Sequence, residues 1–141
     1  AADDEFEGVI DRLILDSPVL DWHATIAANC ARAGLAAQAG MLTRPWLGCR
    51  QLARAVGLPS SIPLARFSWI ARARTLSVPT LILHGTDDTS SPPNVASRLA
   101  LLRPDMVELL RFRAEHTLAW NSDPERWERR TCNWLSAREV T

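Results

Sequence analysis

The chain has 141 residues, 47% of them hydrophobic, with a formal net charge of zero, and all 16 of its basic residues are arginines. This length and apolar content suit one domain with a buried core and exclude intrinsic disorder. The arginines are scattered along the chain, which argues against a nucleic-acid backbone or an anionic membrane as partner.

No apolar run approaches the roughly 20 residues that span a bilayer, and the acidic start Ala1-Ala-Asp-Asp-Glu is unlike a signal peptide. Residues 9–15, Val-Ile-Asp-Arg-Leu-Ile-Leu, read as a strand closed by Asp16-Ser17-Pro18, since proline stops a helix and starts a turn. Asp21 then caps a helix with Trp22, Ile26, Cys30 and Ala33 on one face and Gly34 as its stop. From there Gly40, Pro45, Gly48, Gly57, Pro59 and Pro63 punctuate short helical pieces, the clearest with Cys49, Leu52, Ala53 and Val56 on one face. This stretch reads as an inserted helical cap, with residues 64–77 leading back to the sheet. Cys30, Cys49 and Cys132 lack metal-ligand spacing and are expected to be buried small hydrophobes.

The chain is organised around residues 78–92, Val-Pro-Thr-Leu-Ile-Leu-His-Gly-Thr-Asp-Asp-Thr-Ser-Ser-Pro. Thr80 to Leu83 are apolar or β-branched on both faces, the pattern of a strand covered on both sides in a parallel sheet. Such strands carry their chemistry at the carboxyl end, which here offers His84, Gly85, Asp87 and Asp88. Ser91-Pro92-Pro93 starts a helix with Val95, Leu99 and Leu102 in a stripe that ends before Pro104. Residues 106–112 form a further strand, polar enough through Glu108 and Arg111 to suit a sheet edge. His116 follows, 28 residues after Asp88. Ser122-Asp-Pro-Glu125 is a capping box that opens a last helix with Trp127, Thr131, Trp134 and Leu135 on one face. Strands alternating with helices imply an α/β fold with a parallel sheet. A carboxylate and a histidine at the ends of neighbouring strands are the acid and base of a nucleophilic triad.

At these residues the chain resembles the α/β-hydrolases. Val78-Pro-Thr-Leu-Ile-Leu-His84-Gly85-Thr-Asp-Asp88 is similar to their seventh strand and acid turn, Ala114-Glu115-His116-Thr117 to the histidine loop after strand eight, and Leu-Ile-Leu-Asp16-Ser17-Pro18 to the end of strand six. The resemblance implies Asp88 as triad acid and His116 as base. Asp87, one residue off the His-Gly-x-x-Asp spacing, and Asp16, at the end of strand six, are rival acids. His84 is expected to be structural and His23 solvated.

The family's nucleophile elbow, Gly-x-Ser-x-Gly, is not in this sequence: Ser17, Ser60, Ser61, Ser68, Ser77, Ser90 and Ser91 all lack the flanking glycines. The chain therefore resembles the C-terminal half of such an enzyme: strand six in residues 1–20, a helical cap insertion in 21–76, and strands seven and eight with both loops and the last helix in 77–141. What this implies is a parent serine hydrolase acting on an ester or amide, with an aspartate or cysteine elbow as the variants. The 141-residue segment alone is expected to hydrolyse nothing, and to self-associate through the edge of strand six. Trp22, Trp46, Leu47, Phe67 and Trp69 could line an apolar substrate pocket or hold the cap to the sheet. The alternative from another class is a catalytically dead binding module, against which the retained Asp88 and His116 argue. A metal site drawing on His84, Asp88 and His116 is a weaker option that their spacing does not require. No cofactor is implied, as no glycine-rich phosphate turn is present, and the unpaired cysteines favour the cytoplasm.

Overall fold

The computed structural model describes residues 10–34 and 67–137. In these segments the chain forms a three-stranded parallel sheet in the order β1-β2-β3, from Leu13–Asp16, Thr80–Gly85 and Val107–Phe112. Leu13 stands beside Thr80 and Asp16 beside Leu83, while Thr80 pairs with Val107 and Gly85 with Phe112. All three strands therefore end on the same side, and the turns that follow them converge there. β2 is the central strand, and every one of its residues is buried, as its doubly apolar sequence requires.

Alternation along β2 builds two cores. Ile82 packs with Leu20, Leu76, Ala96, Leu99 and Val107 on one face. Leu81 and Leu83 pack with Phe112, Ala114 and Ala119 on the other, where Trp127 and Trp134 lean against them. Burial of a side chain of Ile82's size contributes about 1.5–3 kcal/mol. The first core is covered by helix α2 (Pro93–Leu102), whose buried residues are Ala96 and Leu99. The second is covered by the short α3 (Ala119–Ser122) and by α4 (Pro124–Ser136).

The expected elements form, with shifts that have physical causes. β1 is shorter than the seven residues read from its apolar run: pairing begins at Leu13, whose N–H donates to Pro79 O at 2.9 Å. In α1 (Trp22–Arg32) Asp21 caps as expected, accepting from the N–H groups of His23 and Ala24, and Gly34 ends the helix with φ 72°. The buried residue of α1 is Thr25, however, and Trp22 is 42% exposed. The stripe is thus rotated by one residue, roughly 100° about the helix axis. In α2 the stripe likewise settles on Ala96 and Leu99, leaving Leu102 exposed. α4 is capped by Asp123, which accepts from Arg126 N–H, with Pro124 at the first helical position. Ser122 belongs to α3 instead. Leu135 is exposed, and Thr131, its hydroxyl bonded to the carbonyls of Trp127 and Glu128, is the buried residue of that helix.

Among the described residues β3 lies at a sheet edge, in keeping with its polar residues, and Glu108 pairs with Arg130 of α4. β1 forms the opposite edge among the described residues. Cys132 is exposed and Cys30 half-buried, which corrects the expectation of buried cysteines; Cys49 lies outside the described residues. So do most of the expected cap, its helical piece from Cys49 to Val56, and Trp46 and Leu47. Phe67 and Trp69, at the start of the returning segment, are exposed along with Trp22. Among the described residues no helix is long and apolar enough to cross a membrane.

Candidate active site

The turn after β2 is shaped by the carboxylate of Asp88. Its Oδ1 accepts the N–H groups of Ser90 and Ser91, each at 2.8 Å. The side chain has no exposed surface. Burial pushes the Asp88 carboxyl up, but the donors outweigh it: the Ser91 N–H, the His116 ring, the Ser90 N–H and the positive charge His116 can carry leave it below the ordinary aspartate value. A buried acid in that position is held as the anion.

His84 and the strand ends keep the turn in place. The His84 ring is 1% exposed, with Nε2 3.0 Å from Ser91 O and 3.3 Å from Asp88 Oδ2. Neither oxygen can donate, so Nε2 carries the hydrogen and the ring is tied to both ends of the acid turn. Ser91 Oγ donates to Pro18 O at 2.8 Å, and Asn29 of α1 donates to Ser90 O at 2.7 Å. The sequence names Ser90 and Ser91 without this role and gives no sign of Asn29, because main-chain partners leave no residue pattern.

The loop after β3 brings His116 to the acid. His116 Nδ1 lies 2.8 Å from Asp88 Oδ2, and its side chain keeps 39% of its surface exposed. With the carboxylate as acceptor, Nδ1 carries the hydrogen and Nε2 presents a lone pair, the tautomer a general base needs. The approach depends on Gly85. A Cβ there would meet Ala114 O at 2.2 Å and Glu115 O at 2.7 Å, closer than such atoms come in real proteins. Gly85 is thus required by the histidine loop passing over it; among the described residues Gly34 is the one glycine with left-handed backbone.

The structure therefore brings together Asp88, His116 and His84. Asp87 is exposed and accepts from the hydroxyl of Thr86, and Asp16 accepts from Ser17 Oγ at 3.1 Å. His23 is half-buried, where a solvated ring was expected. No group of three or more His, Cys, Asp or Glu side chains among the described residues is arranged to hold a metal ion.

No protein-family model and no curated protein matches the chain. Its fold does match solved structures. The esterase Pf2001 of Pyrococcus furiosus is 20% identical with a TM-score of 0.54, and the match covers 89% of this chain and 43% of that one. A hydrolase from Pseudomonas aeruginosa is 16% identical with a TM-score of 0.51, covering 91% and 56% respectively. The chain thus spans about half the length of the structures it matches. At these identities the likeness shows the fold: the described segments are part of an α/β-hydrolase sheet.

Proposed function

We propose that the chain is the acid-and-base half of a hydrolase that cleaves an ester, or an amide, through a nucleophilic serine. The reading rests on one observation, the 2.8 Å contact of His116 Nδ1 with the buried Asp88 carboxylate. The similarity in fold to an esterase and a hydrolase supports it. In this reading His116 Nε2 takes the proton of the attacking hydroxyl as its oxygen bonds to the carbonyl carbon. It then returns that proton to the leaving alkoxide or amine as the acyl–enzyme forms. Asp88 stays ionised and stabilises the transient imidazolium. Water enters by the same route in reverse, and the acid leaves.

The nucleophile and the oxyanion donors would come from the other half of the sheet, which would also pair with the edge of β1 that has no partner strand among the described residues. By itself the 141-residue chain is proposed to be inert and to self-associate at that edge. The cap proposed for residues 21–76 would shape the substrate site.

The test is fluorophosphonate labelling followed by intact mass, on this chain and on the longer protein proposed to unite it with the other half of the sheet. The 15.7 kDa chain should take no label. The longer protein should take one, with the labelling rate falling about 10³-fold or more in His116→Ala, the scale on which loss of a triad member acts. A longer protein that takes no label, or a label indifferent to His116→Ala, would sink the reading and favour a binding module.

A further inference from the structure

Among the described residues two that are not glycine have left-handed backbone, Ser17 with φ 48° and Thr117 with φ 57°. One hydrogen bond joins them: Thr117 N–H donates to Ser17 Oγ at 3.1 Å, across 100 residues of sequence. Left-handed backbone is costly for any side chain and most unusual for a β-branched one. Strain of this kind persists where the surroundings hold it, and it gathers at functional sites.

The position of the bond gives it meaning. The Thr117 N–H belongs to the peptide unit that leaves His116, and Thr117 Oγ1 donates to the oxygen of the same unit at 2.7 Å. Ser17 is 3% exposed and held at the end of β1, its N–H donating to Leu83 O of the central strand at 2.8 Å. Its own hydroxyl proton goes to Asp16 Oδ1, so the oxygen is left to accept. The neighbouring Pro18 O receives the Ser91 hydroxyl of the acid turn. Residues 16–18 therefore grip both loops that meet at the Asp88–His116 contact. Glycine would take the Ser17 backbone without strain, but it has no oxygen to offer the histidine loop.

We infer that Ser17 is a positioning residue: its hydroxyl, aimed by the left-handed turn after β1, holds the His116–Thr117 peptide so that the imidazole stays on Asp88. This rests on the Asp88–His116 pair proposed above. Ser17 is not placed as a nucleophile, since its proton is directed at Asp16.

The test is nitrogen NMR of the histidine rings in the 141-residue chain, above the pH at which they lose their second proton. Three histidines make the spectrum assignable. His116 should be mainly the Nδ1–H tautomer in the wild type and lose that preference in Asp88→Ala. In both Ser17→Ala and Ser17→Gly the Nδ1–H to Nε2–H ratio should fall about fivefold, the factor that one hydrogen bond of ordinary net worth supplies. The two variants differ in strain, so their melting temperatures should separate while their tautomer ratios agree. If both keep the wild-type ratio while Asp88→Ala loses it, Ser17 is merely structural and the inference falls alone. A wild type without the Nδ1–H preference, or one that keeps it in Asp88→Ala, overturns the pair and this inference together.

Discussion

The acid turn after β2 and the histidine loop after β3 end neighbouring strands and meet at one hydrogen bond, yet they are built differently. Asp88 is fully buried and collects two main-chain donors on one oxygen and two imidazole nitrogens about the other. His116 keeps 39% of its side chain exposed, and its loop is carried mainly by backbone: Thr86 N–H to Phe112 O at 2.8 Å and Asp87 N–H to Ala114 O at 3.0 Å. The difference fits the division of work proposed for the pair. An acid that has only to remain charged and still is served by burial among donors; a histidine that is to exchange protons with a third group needs an open edge.

Several substitutions probe this contrast. The largest stability effect is expected from Gly85→Ala. Its methyl would enter the Ala114 carbonyl, a backbone atom that cannot turn aside, and the cost should be about 3 kcal/mol in urea denaturation. Wild-type stability in that variant would mean that the histidine loop can lift away freely. Asp88→Ala comes next, at about 2 kcal/mol, because it leaves buried N–H donors of Ser90 and Ser91 unmet. His116→Ala, made at the exposed partner, should stay within about 0.5 kcal/mol of the wild type. Equal losses in the two would erase the distinction drawn here.

Acid sharpens the same comparison. The folded-state pKa of Asp88 is lowered, so its ionisation contributes stability that is complete above the ordinary aspartate range. That contribution is lost as the pH falls from that range through the lowered value. Wild type minus Asp88→Asn, followed by thermal melting, should therefore shrink on acidification and be flat at neutral pH. An effect smaller than that of Asp88→Ala is expected far from the site: Asp123→Ala removes the cap of α4 and should cost about 1 kcal/mol.

How much of this was legible in the sequence follows from the range of each interaction. The central strand and the meeting of Asp88 with His116 were readable because β2 announces itself by four apolar or β-branched residues in a row, Thr80 to Leu83, and both side chains stand just past strand ends. The two loops could be named; what joins them could not. The bond between Ser17 and Thr117 depends on two left-handed residues, neither of them a glycine that would have signalled the turn. Gly85 was visible as a turn residue, whereas the reason for it, backbone passing overhead, needs the third dimension. Helix faces were off by a residue or so for a similar cause. In α1 the buried position is Thr25, a threonine that bulkier neighbours upstaged in the apolar pattern, whereas Thr131 of α4 lies on the face expected of it.

Arg103 has a consequence of its own. Its guanidinium, 14% exposed, donates to Ala73 O and Leu76 O just before β2 and pairs with Asp105 just before β3. Gly34 ends α1 on one side and this clasp holds the approach to β2 on the other. The entropic cost of lengthening a connection grows only slowly with its length. The described scaffold therefore holds both points by contacts of its own, and a connection of another length between them would cost little, like a socket whose contacts stay fixed while the fitting changes.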